Sequence, residues 1–150
     1  MTPLEKLRAG WNLLNGSTLA GLGLAAAARC SLARGPRGLI LAHGYRPRLP
    51  KAFAFTVGNV VLLRWATGGP ADNPQLLGHE SRHSTQYALC LGLPFLPLYA
   101  VAALWSLWRT GDPASRNVFE RHAGLRSGGY VERTVRRGPG RRRNPANPPV

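Results

Sequence analysis

A chain of 150 residues is long enough to bury a core without disulfide support and short enough to form one domain. Two cysteines, Cys30 and Cys90, make neither a CxxC pair nor a bridging framework, which excludes a disulfide-stapled secreted scaffold and leads us to expect a reducing, cytoplasmic setting. The 20 Lys+Arg against 6 Asp+Glu give a formal charge of +14, which attracts nucleic acid, anionic lipid or acidic partners without selecting among them.

Residues 4–28 read as helical, broken near the glycines at 16, 21 and 23. Lys6 and Arg8 precede a mostly apolar run, the outline of a signal peptide. However, Asn12, Asn15, Gly16, Ser17 and Thr18 interrupt that run, and Arg29 stands where small cleavage-site residues belong, so a helix packed on the domain is expected. After the turn "RGPRG", residues 39–45 form a short strand candidate, and "RPRLP" ends it. Residues 52–64, "AFAFTVGNVVLLR", are apolar on both alternating faces and predict a strand covered on both sides.

Asn73 can cap a helix and Pro74 suits its first turn, so a helix is predicted over 74–91, ended by Gly92 and Pro94. Residues 98–108 predict a second, strongly apolar helix. A third is expected over 112–126, with Asp112 as its cap and Pro113 in its first turn.

The helix over 74–91 contains "HESRH". His79 and His83 are four residues apart and so share one helix face, as two ligands of one metal must, and Glu80 lies beside them. In an HExxH zinc site the imidazoles bind the metal, while the unligated glutamate takes a proton from a water that zinc has acidified to a pKa of about 7. With four His and four Glu in the chain, this spacing would arise by chance in roughly three sequences per thousand, so a zinc site (Zn2+) is preferred over a solvated polar face.

A catalytic zinc generally needs a third protein ligand. Asp112, Glu120, His122 and His43 are candidates. Glu120 is preferred because its helical neighbours Asn117, Ala123 and Gly124 are small enough for close approach. His122 is about 200° further round and falls nearer Val118, Phe119 and Leu125. Tyr99, His122 and Tyr130 are candidate transition-state donors, and the spacing does not select among them. Cys90 reads as a small buried hydrophobe.

On these residues the chain resembles the zincin metallopeptidases, in particular the gluzincin arrangement of HExxH on one helix and a glutamate ligand on a later one. The matching residues are His79, Glu80, His83 and Glu120. "LLGHESRHSTQYALCLGLPFLPLY" is similar to small zincin-like domains reading HExxHxxQ and then ExxA, a pattern that Gln86 and Ala123 fit. The resemblance covers roughly residues 52–130. It implies a strand ahead of the metal helix whose edge pairs with an extended peptide substrate, and "AFTVGNVVLLR" is the candidate. Many relatives carry an acidic residue just after ExxA, able to orient a ligating histidine, where this chain has Gly124. Arg82 and Arg121, beside the proposed ligands, are unusual and are expected to point outward.

The fold class expected is therefore α+β: a small zincin-like domain over 1–130, with a helical segment at 1–30, a core at about 39–130, and a short sheet packed on the HExxH helix and a following helix that supplies the third ligand. Residues 131–150, rich in Arg, Gly and Pro, are expected to be a disordered basic tail contacting anionic partners non-specifically. No sequence-specific nucleic-acid motif is present. Residues 87–108 carry no formal charge and have the length of a membrane span. Gly92, Pro94 and Pro97 interrupt them, and a span would part His83 from Glu120 by about 30 Å. Two buried segments with a reversal at "GLPFLP" are expected instead, with peripheral membrane contact as the remaining membrane reading. The function expected is zinc-dependent hydrolysis of a peptide or protein, with a catalytically weak zincin-like binding or structural module as the alternative.

Overall fold

Thr2 starts the first helix with a capping box: its hydroxyl accepts from the Glu5 amide at 3.2 Å, while the Glu5 carboxylate accepts from the Thr2 amide at 2.7 Å. In the computed structural model, which describes residues 1–50, 52–65 and 73–136, this helix is α1 (Pro3–Leu14). The chain breaks at Asn15 and Gly16 and resumes as α2 (Ser17–Ala27). Gly21 and Gly23 lie inside α2, so the breaks expected at those two glycines do not occur.

Four strands follow among the described residues: β1 (Ser31–Arg34), β2 (Ile40–His43), β3 (Ala54–Val57) and β4 (Val60–Leu63), with a 3-10 turn at Pro36–Gly38. The sheet order is β1-β2-β4-β3. The β1/β2 and β3/β4 pairs are antiparallel, and β2/β4 is parallel. The single strand expected over 52–64 is thus a hairpin. Val57 pairs with Val60 across the two-residue turn Gly58-Asn59, and Gly58 has φ +63°, the backbone that favours glycine at the first central position of such turns. A Cβ there would also meet the α2 backbone at Ser17 and Thr18. β1 was not anticipated: its side chains are largely exposed, and only pairing with β2 makes it a strand.

All four residues of β4 are buried, because both faces of the sheet are covered. One cluster joins Ala42, Val60 and Leu62 to Ala25, Tyr87 and Phe95; the other joins Leu41, Val61 and Leu63 to Leu39, Ala54 and Leu77. Cys90 packs against the first cluster.

Three helices complete the described chain: α3 (Pro74–Leu89), α4 (Phe95–Thr110) and α5 (Val118–Ala123). A buried polar network holds α1 against α3 and the hairpin turn. Asn59 Oδ1 accepts from Asn12 Nδ2 (3.0 Å) and Ser84 Oγ (2.8 Å), and Asn59 Nδ2 donates to Ala9 O (2.9 Å). Arg8, also buried, donates to Ser81 Oγ (2.8 Å) and to Arg37 O.

The helix expected over 112–126 is corrected to the six residues of α5. Asp112 Oδ2 accepts from the Ser115 amide (2.7 Å) and hydroxyl (2.6 Å), closing a turn, while Ser106 Oγ of α4 accepts from the Arg116 amide (2.7 Å). These contacts draw residues 112–116 onto α4, and Asn117 then caps α5 through the Phe119 amide (3.0 Å).

The expectation of two buried apolar segments holds only in part: a turn parts α3 from α4 and the start of α4 packs on α3 through Phe95 with Tyr87 and Tyr99 with His83, but most of α4 is exposed. Among the described residues no helix is long and apolar enough to cross a membrane. Residues 131–136, assigned to the tail on composition, have no regular secondary structure and are tied to the domain by Arg133 N to Ser115 Oγ (2.8 Å) and Arg136 N to Arg109 O (2.8 Å). The rest of the proposed tail, residues 137–150, lies outside the described residues.

Candidate metal centre

Asn73 Oδ1 accepts from the Gln75 amide at 2.9 Å and Pro74 occupies the first turn, so α3 starts where local chemistry expects it. One turn in, His79, Glu80 and His83 follow, each buried. Glu120 reaches the same place from α5, only 2% exposed. The ligand atoms of His79, His83 and Glu120 all lie within 4.8 Å of one another.

Each imidazole is held at its Nδ1. His79 Nδ1 faces the backbone carbonyls of Ala123 (3.2 Å) and Gly124 (3.1 Å). Carbonyls only accept, so this nitrogen carries the proton. Gln86 Nε2 donates to Phe119 O at 2.9 Å, which leaves Gln86 Oε1 to accept from His83 Nδ1 at 2.8 Å. Both Nε2 atoms are therefore the basic ones. They approach to 2.9 Å, with Glu120 Oε2 3.3 Å from His79 Nε2 and Glu120 Oε1 3.5 Å from His83 Nε2. Oε2 is buried and makes no hydrogen bond. Three lone-pair donors facing one point repel unless a cation lies among them. Tetrahedral ligands about 2.1 Å from a metal are separated by about 3.4 Å, close to the spacings here.

Without a metal, a proton relieves the crowding. Burial works against a charged His83, but the adjacent Glu120 outweighs it and raises the His83 pKa. Burial likewise would raise Glu120, but the imidazoles of His79 and His83 and the Tyr99 hydroxyl hold its carboxyl well below the usual range. Tyr99 donates to Glu120 Oε1 at 2.5 Å, and burial followed by the Glu120 charge keeps its hydroxyl protonated.

Glu80 is not one of the three clustered residues. Its Oε2 accepts from Thr56 Oγ1 of β3 at 2.6 Å, and its carboxyl is raised above the ordinary value, mainly by burial, with His83, Thr56 and His79 opposing. A raised carboxyl is suited to taking a proton at neutral pH. Nothing local in the sequence marks Thr56, because the contact joins residues 24 positions apart.

The remaining candidates separate clearly. His43 is on β2 and Asp112 is in the turn after α4; neither joins the cluster. His122 is exposed, beyond Gln86. Tyr130 lies with its ring centroid 6.1 Å from that of His79. Gly124 has no side chain to orient His79 and supplies its backbone carbonyl instead, together with that of Ala123, so the orienting acceptor is main chain. Arg121 points outward to Glu132 (2.6 Å), whereas Arg82 turns toward α5 and donates to Ala123 O (2.6 Å). Gly128 was not anticipated: a Cβ there would fall 2.6 Å from His79 Cε1, so only a bare backbone lets the turn after α5 lie on that ring.

Comparisons with protein-family models, curated proteins and solved structures give no match to the chain.

Proposed function

We propose that the chain is a zinc-dependent hydrolase of zincin type that cleaves peptide bonds, with His79, His83 and Glu120 holding the metal and Glu80 acting as general base. The observation that carries this reading is the convergence of two basic Nε2 atoms and a buried carboxylate, each imidazole locked at its Nδ1. A zinc ion held there would acidify a water and polarise a substrate carbonyl. Glu80 would take the proton of the attacking water and pass it to the departing amine, with Thr56 orienting its carboxylate. Tyr99, committed to Glu120, would position that ligand rather than meet the substrate. β3 is terminal in the sheet and carries Thr56, so an extended peptide pairing along its edge would pass close to Glu80.

The alternative, a zincin-like module that binds metal with little turnover, draws support from the burial of the whole cluster and from the Gly128 turn lying on His79. Metal content and peptide hydrolysis of wild type, Glu80→Gln and His83→Ala separate the two. The hydrolase reading expects Glu80→Gln to keep its metal and lose turnover, and His83→Ala to lose both. Equal hydrolysis by wild type and Glu80→Gln removes the catalytic assignment. A metal-loaded wild type that cleaves no peptide leaves the binding module.

A further inference from the structure

The helix α4 reads FLPLYAVAALWSLWRT, and its buried residues are confined to the stripe Phe95, Ser106 and Thr110. Around the rest of the helix Leu96, Val101, Leu104, Trp105 and Trp108 stand exposed, at 47–67% of their surface. A helix apolar on nearly all sides belongs in a core or in contact with lipid, yet α4 faces outward. The apolar surface continues beyond it. On α1, Leu4, Leu7, Trp11 and Leu14 recur at helical spacing and are all exposed, and Trp11 Nε1 donates to Ala88 O (3.0 Å) beside the exposed Leu89. Gly92, in the α3–α4 turn, sits against Asn15 at the end of α1, with exposed Leu91 and Leu93 flanking it.

Charge decides what can cover this surface. Residues 93–108 hold no ionisable acid or base other than Tyr99, and Glu5 on α1 is engaged by the Thr2 amide. At the C-terminal end of α4 the Arg109 guanidinium lies 5.7 Å from the ring centres of both Trp105 and Trp108, and Arg136 is hydrogen-bonded to the Arg109 carbonyl and packs on Gly111. Indole rings beside guanidinium groups suit the boundary of a bilayer, where the rings sit at headgroup depth and the cations meet phosphate. At a formal charge of +14, a second copy of the chain would be repelled, whereas an anionic surface is attracted. The 16 residues of α4 extend about 24 Å, short of the roughly 30 Å hydrocarbon thickness, so the helix can lie in the interface and not cross it.

We propose that the outer face of α4, continued by α1 and the α3–α4 turn, docks on an anionic lipid bilayer with Trp105, Trp108 and Arg109 as its anchor. The proposal is independent of the metal reading. The test is co-sedimentation of the full chain with vesicles of phosphatidylcholine alone and of phosphatidylcholine with phosphatidylglycerol, alongside the variant Leu104→Ser/Trp105→Ser/Trp108→Ser. Wild type is expected to bind the anionic vesicles at least tenfold more tightly than the neutral ones, and the variant to lose at least tenfold on the anionic vesicles while keeping the wild-type thermal melt. Equal binding to both lipid compositions overturns the proposal. So does undiminished binding of the variant, which would leave the basic charge elsewhere in the chain as the cause. A wild type that ignores vesicles but self-associates through these residues, seen by sedimentation velocity, also overturns it and assigns the face to a second copy.

Discussion

Gln86 decides which nitrogen of His83 is free: its amide nitrogen donates to the Phe119 carbonyl, so its oxygen accepts a hydrogen bond from His83 Nδ1 at 2.8 Å. The same side chain joins the helix that carries the histidines to the helix that carries Glu120. Gln86→Leu removes both bonds and lets the imidazole rotate. Metal affinity, measured by competition with a chromophoric chelator, is expected to fall about 10- to 100-fold. Unchanged affinity would mean that packing alone holds His83.

Gly128 faces the His79 ring so closely that any side chain must displace one of them. Gly128→Val should destabilise the metal-free protein by about 1–3 kcal/mol, the usual cost of overpacking, and weaken metal binding as well. Thermal melts with and without added zinc measure the two effects separately.

Thr56 donates to the Glu80 carboxylate and so favours its charged form. Thr56→Val is expected to push the Glu80 pKa higher still. If Glu80 is the base, the acidic limb of the kcat/KM profile moves to higher pH while metal content stays at the wild-type level. A shift in metal content without a shift in the profile would place Thr56 in the scaffold alone.

Asn59 accepts from Asn12 and Ser84 and donates to Ala9, all at the junction of α1, the hairpin turn and α3. Asn59→Ala takes the acceptor from the buried Ser84 hydroxyl, while Asn12 Nδ2 keeps Ser84 O at 2.8 Å, and should cost about 1–3 kcal/mol, read as a lower denaturation midpoint in urea. An unchanged midpoint would show that the Ser84 hydroxyl finds another acceptor when Asn59 is removed.

In the metal-stripped protein His83 is raised above its ordinary value of 6.5. A raised histidine contributes stability that is fully present below the unfolded value and is lost as pH rises through the folded one. The metal-free protein should therefore lose stability as pH rises above about 6.5, and added zinc should restore it with release of protons. Melts across this range, and calorimetric zinc titrations in buffers of different ionisation enthalpy, measure both.

Much of the local structure was legible because it depends on neighbours in the chain. The Asn73-Pro74 start of α3 and the placing of His79 and His83 on one helical face follow from capping and a 3.6-residue period. Errors came where distant groups competed with local ones. Asp112 and Pro113 have the outline of a helix start, but Ser106 and Ser115 claim that segment for α4. Residues 52–64 look like one buried strand by composition, and the close fit of Gly58 against α2 helps set the turn inside it.

By itself, then, the sequence determined the spacing of two imidazoles and a neighbouring carboxyl on one helix, because helix geometry is a property of consecutive residues. Only the tertiary structure decided that Glu120 meets them, that backbone carbonyls at 123 and 124 orient His79, and that α4 turns its leucines and tryptophans outward. These depend on where separate elements come to rest against one another; helical spacing favoured Glu120 over His122 but could not by itself bring its helix to α3.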